Sequence, residues 1–167
     1  MIPTPPFSER IRTFSYWRHR VIELLIAVIS IYLITSYLEQ QKSDARAAVP
    51  ASAWFEISEL FVPDHGVGSN PDMIYDRQVK VPFRGFWIAE VQRRESKGFS
   101  TECTGSGVKE YSPEGFTSNR PVKWDTFLGR PCPLSPGTYR IVVSYDLFRA
   151  GFPVKRYSHK SNKFTVD

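Results

Sequence analysis

The chain has 167 residues, with 22 Lys and Arg against 17 Asp and Glu, three His and two Cys. The length suits one domain with one core plus an appendage, and the net charge of +5 is only a mild basic excess. Two cysteines with no CxxC pair and no histidine at ligand spacing give half a zinc site at best.

In chain order, residues 1–20 read as a short basic tail, and Pro3, Pro5 and Pro6 make its start a poor helix. Val21 to Leu38 is an apolar run whose helical rise of about 27 Å approaches the roughly 30 Å hydrocarbon core of a bilayer. Tyr16, Trp17 and Tyr37 stand where interfacial aromatics belong, so the run predicts a spanning helix. Four Arg (Arg10, Arg12, Arg18 and Arg20) precede it against one Glu, whereas Glu39 and Asp44 balance Lys42 and Arg46 after it. Positive flanks stay cytoplasmic, which puts the N-terminus inside and everything after Leu38 outside. Glu23, in the first turn of the run, is placed to reach the headgroups or pair with Arg20. A cleaved signal peptide is the rival reading, since Ala45-Arg46-Ala47 and Ala51-Ser52-Ala53 are small-x-small sites. The run is longer than an ordinary signal core and is separated from the first site by polar residues, which favours an uncleaved anchor.

Residues 39–52 read as a tether ending near Pro50, and 53–167 as one exported domain. The strand candidates are Trp54–Val62, Gln78–Val81, Phe83–Arg93, Val122–Leu128, Gly137–Phe148, Val154–His159 and Lys163–Val166. Gly137–Phe148 alternates most cleanly, with Tyr139, Ile141, Val143 and Tyr145 on one face. In Phe83–Arg93 the residues Phe86 and Ile88 break the alternation, so both faces of that strand are expected to be partly covered. No helical period is visible beyond the span. Six to eight short strands punctuated by Gly and Pro predict an all-β sandwich.

Cys103 and Cys132 both fall on the predicted outer side, where an even pair reads as a disulfide. Closing that loop of about 30 residues stabilises a fold by roughly 3–4 kcal/mol in the chain-entropy model. Catalytic patterns are scarce. Cys103-Thr104-Gly105-Ser106-Gly107 has neither the Lys-Ser/Thr ending of a P-loop nor the frame of a nucleophile elbow, and reads as a glycine-bearing hairpin or bulge. His19 lies across the predicted membrane from His65 and His159. Asp64, His65, Asp72 and Asp76 gather in the stretch Pro63–Asp76, but at no metal-binding spacing, and a solvated connection accounts for them. No cofactor, no metal and no enzymatic activity are expected.

The segment Leu134-Ser135-Pro136-Gly137-Thr138-Tyr139-Arg140-Ile141-Val142-Val143 resembles the start of the penultimate strand of immunoglobulin-like and fibronectin-like domains. There a Tyr hydroxyl bonds back to upstream backbone, a role the resemblance gives Tyr139, and Asn162-Lys163-Phe164-Thr165-Val166 resembles the last strand. Cys132 precedes the Tyr instead of following it, so the disulfide is not assumed to bridge the sheets. More loosely, Val62-Pro63-Asp64, Trp87-Ile88-Ala89-Glu90-Val91-Gln92-Arg93, Cys103–Gly107 and Cys132-Pro133 resemble uncharacterised membrane-anchored proteins of proteobacteria and their prophages. That resemblance implies an inner-membrane, periplasmic setting and no mechanism.

The remaining lead is charge. Arg149, Lys155, Arg156, Lys160 and Lys163 occur with no acid between Leu147 and Val166, with Tyr157 and His159 interleaved. Such a basic terminal hairpin suits an anionic envelope component or acidic protein, against the plainer reading of a solvated edge strand. Nucleic acid is not expected in that compartment. The sequence therefore points to a membrane-tethered, non-catalytic binding or assembly module of open oligomeric state. A phage-encoded envelope factor, acting in lysis or superinfection exclusion, is the alternative, and a cryptic enzyme stands further behind.

Overall fold

The computed structural model describes residues 7–113 and 121–167, and divides them into a helical unit ending at Arg46 and a sheet unit, Ala47–Asp167. The prolines at 3, 5 and 6 lie outside the described residues.

The first unit is built on one helix, α1 (Phe7–Ala48), of 42 residues. Between Val21 and Leu38 it carries large, exposed apolar side chains on every face. A helix apolar all round belongs in a core or in a membrane, and among the described residues this is the one helix long and apolar enough to cross a bilayer. Its polar groups are locally satisfied: Thr35 Oγ1 donates to the Ile31 and Tyr32 carbonyls at 3.0 and 2.9 Å, and Arg20 pairs with Glu23 at 3.4 Å. The helix does not stop at Leu38. Residues 39–48, read from sequence as a tether, continue it because they are Glu, Gln, Lys and Ala-rich helix formers, and Lys42 bonds Glu39 at 3.1 Å. Pro50 ends the helical run, since the residue before a proline is driven out of the α region.

The second unit holds two antiparallel sheets. The smaller has the order β1 (Phe55–Phe61), β2 (Asp72–Val79), β5 (Pro121–Lys123). The larger runs β4 (Gly98–Tyr111), β3 (Phe83–Glu95), β6 (Gly137–Phe148), β7 (Lys155–Lys160), and β8 (Phe164–Val166) also pairs with β6. Their inner faces meet in one core. Phe55 of β1 sits at its centre, with ring contacts to Phe83, Tyr145 and Tyr157 at 5.7, 4.7 and 5.3 Å. The alternation read in β6 is realised, with Tyr139, Ile141, Val143, Tyr145 and Leu147 all buried. Tyr139 Oη donates to the Ser135 carbonyl at 2.8 Å.

Three sequence expectations change. Val122–Leu128 is not a strand: β5 ends at Lys123, and Trp124–Leu128 forms a short helix, α2, capped by Gly129 at φ 70°. Its buried Trp124 and Leu128 are four residues apart, on one helix face. Pro63–Asp76 is not all loop, because β2 starts at Asp72. The Gly-rich stretch 103–107 is the middle of β4, a strand the polar sequence concealed. The bulge expected there lies just before it, with Glu102 unmatched opposite Val91 and Gln92.

The spacing of that stretch has a packing cause. Cys103, Gly105 and Gly107 alternate onto the inner face of β4, opposite Val91, Ala89 and Trp87 of β3. A Cβ on Gly105 would lie 2.4 Å from the Leu128 carbonyl oxygen, and one on Gly107 would lie 2.9 Å from the Trp87 indole nitrogen. Cys103 is bonded to Cys132 with Cα atoms 6.3 Å apart, stapling the segment after α2 onto the strand. The bridge ties a loop to β4 rather than sheet to sheet.

Gly105→Ala should therefore destabilise the domain by about 2 kcal/mol or more, because backbone rather than a flexible side chain must move. Gly66→Ala, with nothing within 4 Å of the new Cβ, should be nearly neutral. Thermal melting of the two variants checks this, and equal melting points would contradict it. Tyr139→Phe, which removes only the bond to Ser135, should cost about 1 kcal/mol in the same assay.

Candidate functional site

The terminal basic residues are not one site. β7 and β8 do not pair with each other; both lie along β6, end to end, so the expected hairpin is an interrupted edge strand. Side chains alternate along it: Arg156 and Lys160 point to the outer face, while Lys155, Tyr157 and His159 lie half-buried on the other. Arg156 faces Asp146 in register and bonds it at 3.2 Å. Lys155 Nζ donates to the Ala47 carbonyl at 2.5 Å, and the Arg149 guanidinium lies 5.1 Å from the Phe152 ring. Lys163 sits in the break after β7, about 26 Å of extended chain from Lys155. Burial lowers the His159 pKa below its ordinary value, so it is neutral near pH 7 and adds no charge to the strand. Arg149, Lys155 and Arg156 thus share one end, and Lys160 and Lys163 stand apart.

The acidic stretch also disperses. Asp72 pairs with Lys123 at 3.0 Å, and Asp76 accepts from Ser58 Oγ at 2.6 Å. Asp64 accepts from the Thr165 amide. The His65 ring stacks on Phe164 at 5.5 Å, with Nδ1 at 2.9 Å from the Pro63 carbonyl. Each has a structural partner, and among the described residues no three potential ligands converge on a point.

The outer face of the larger sheet is more informative. Register places Val108, Phe86, Asp146 and Arg156 in one row across β4, β3, β6 and β7, with Glu110, Arg84 and Phe148 in the next. Val108 is 56% exposed and Phe148 42%. Together with Phe86 and the stem of Arg84 they line a shallow hollow of about 350 Å³. Its charged rim is internally neutralised, Arg84 by Glu110 at 3.7 Å and Arg156 by Asp146. The hollow thus combines an apolar centre with a charge-paired rim. Phe86 was visible in the sequence as a break in alternation, but its neighbours Val108 and Phe148 come from strands brought alongside only by register. Of the tryptophans, Trp54 and Trp124 are buried in the core, and Trp87 is half-buried against Gly107.

A buried polar cluster lies between the sheets. Tyr75 and Tyr145 hydroxyls bond each other, Arg77 Nη1 lies 3.4 Å from the Tyr75 hydroxyl, and its guanidinium stacks 4.8 Å from the Tyr111 ring. Burial pushes the Tyr145 hydroxyl far above the ordinary tyrosine range and raises Tyr75 and Tyr111 too. Folded values above the unfolded one mean that these hydroxyls hold their full stabilisation below pH about 10 and lose it as pH climbs further. Melting temperature should therefore be insensitive to these groups up to pH 9 and fall steeply above about 10. Tyrosinate absorbance should then appear together with unfolding. Smooth titration of all eight tyrosines in a still-folded chain would contradict this.

No family model, no curated protein and no solved structure matches this chain.

Proposed function

We propose that this protein is a single-pass anchor of a bacterial inner membrane, N-terminus in the cytoplasm. Its periplasmic sheet domain works as a non-catalytic binding or assembly module with an immunoglobulin-like or fibronectin-like sandwich fold. The exposed apolar surface of α1 between Val21 and Leu38 supports the span, and the excess of Arg before it supports the orientation. Three features support the fold reading. The strand orders β1-β2-β5 and β4-β3-β6-β7 give Greek-key connectivity. Residues 65–67 cross from β1 to run parallel beside β8, and Tyr139 bonds back to Ser135 at the start of β6.

The observation that carries the binding role is the exposed patch Phe86, Val108 and Phe148 with its neutralised rim. Large apolar side chains gathered on one sheet face mark an interaction surface more often than they mark nothing. A protein partner fits better than a polyanion, because the cations beside the patch are already paired with acids.

Reporter fusions after Arg46 and after Asp167 should both be active only outside the cytoplasm, and activity inside would reverse the orientation. A photo-crosslinking residue at Val108 in the intact, membrane-embedded chain should capture a discrete protein adduct identifiable by mass spectrometry. The same group at Ile74, on the outer face of the smaller sheet, should capture it at least tenfold less. Equal yields at both positions, or no adduct at Val108, would remove the patch from consideration.

A further inference from the structure

We propose that the β6–β7 turn, residues 149–155, is a second membrane contact: its exposed apolar tip and two cations with no acidic partner among the described residues, Arg149 and Lys155, rest on the anionic headgroups of the bilayer that α1 spans. The inference builds on the membrane reading above. It differs in assigning a lipid surface to this end of the domain, apart from the protein patch at Val108.

The turn reads Arg149-Ala150-Gly151-Phe152-Pro153-Val154-Lys155, apolar groups flanked by two cations with no acid. Its shape is fixed. Gly151 takes φ 77°, and the Phe152 amide bonds the Arg149 carbonyl at 3.1 Å. The Phe152 ring meets buried Trp54 edge-on at 5.3 Å. This leaves Val154, 51% exposed, and exposed Pro153 projecting without burial in the core. Among the described residues no acid lies within ion-pair distance of Arg149 or Lys155, whereas Arg156 and nearby Lys80 are matched by Asp146 and Glu56. Two surplus cations beside an apolar tip complement an interface that is anionic above and apolar below.

Connectivity supplies the second argument. Lys155 bonds the Ala47 carbonyl, and Trp54, under the turn, closes the segment that leads from Ala47 into β1. The turn is therefore at the end of the domain where the chain enters from α1. Leu38 and Ala47 lie on that same helix, nine residues and at most about 14 Å of rise apart. The turn is thus joined to the apolar run by a short stretch of chain. Each cation held near an anionic surface favours the contact, an attraction that fades over the Debye length of about 8–10 Å.

The test uses the full chain reconstituted into vesicles of phosphatidylcholine with about 30% phosphatidylglycerol, an anionic fraction large enough to set a surface potential. An environment-sensitive fluorophore is placed on Val154→Cys, the native cysteines being held in their disulfide. The control position is Lys97→Cys, in the turn between β3 and β4. Emission from position 154 should be blue-shifted and from position 97 water-like. The shift should collapse in pure phosphatidylcholine and at about 1 M salt, where the Debye length is 3 Å. Arg149→Gln with Lys155→Gln should lower the contact population at least tenfold while the melting temperature stays within a few degrees. Water-like emission at 154 in a chain that resists carbonate extraction overturns the turn contact and leaves the span intact. A shift that persists in detergent micelles means that the turn packs on protein, and overturns it equally. Extraction of the chain by carbonate would overturn both this inference and the membrane reading.

Discussion

The constraint on which the sheet domain depends is the mismatch between its two sheets. A three-stranded sheet whose last strand, β5, has only three residues cannot cover the inner face of a larger sheet with a 14-residue edge strand. The uncovered part, the inner face of β4, is closed by chain that is not sheet at all: α2 and the segment through Leu134. Non-strand backbone can approach a sheet this closely only where the strand has no side chains in the way. That is what Gly105 provides, with Gly107 making room for the Trp87 indole of β3, while the Cys103–Cys132 bridge holds the covering segment down. Buried Trp124, Leu128 and Leu134 then bring the missing apolar volume. The glycines, the disulfide and the switch from β5 to α2 are consequences of one geometric need.

A second requirement is that backbone groups at a broken edge find partners. Between β7 and β8 the ladder along β6 is interrupted, and side chains replace it. The Ser161 amide donates to the Ile141 carbonyl while its Oγ accepts from the Ile141 amide at 2.8 Å. Asn162 bonds both the amide and the carbonyl of Val62 at 2.8 Å, as a neighbouring strand would. That pair of bonds fixes the point where the chain leaves the smaller sheet and passes beside β8, with the His65 amide on the Thr165 carbonyl. The short edge left open, β7, carries Lys155, Arg156 and Lys160, charges that discourage pairing with a second chain. Their first role is thus local, and only the unmatched cations near the turn remain for a ligand.

The two proposed surfaces differ in their electrostatics, which is why different partners are assigned to them. On the outer sheet face each nearby cation stands opposite an acid in register, so burial under a protein strips water from neutral pairs around an apolar centre. At the β6–β7 turn Arg149 and Lys155 have no acidic partner among the described residues and flank a fixed apolar tip. A protein interface would have to supply acids there, whereas an anionic bilayer presents them everywhere.

Whatever depends on local pattern could be read from the residues alone. The apolar run of α1 was legible because length and flanking charge suffice to mark it; β6 was legible because period-two alternation reports one-sided burial, and β1, β3, β7 and β8 because apolar stretches are bounded there by proline, glycine and turn residues. Tyr139 and the two cysteines were singled out by residue type and position. The rest depends on which segments fold against each other. β4 was hidden because its inner face holds Cys and Gly, whose small size is set by Leu128 and Trp87, residues distant in sequence. The split of 121–128 into β5 and α2 was hidden because buried Trp124 and Leu128 satisfy a helix as well as a strand. The terminal cations looked like one cluster because chain order counts neighbours, whereas strand alternation and the Asp146 opposite Arg156 separate them. The patch at Phe86, Val108 and Phe148 exists only through cross-strand register, and register is a property of paired strands rather than of any one of them.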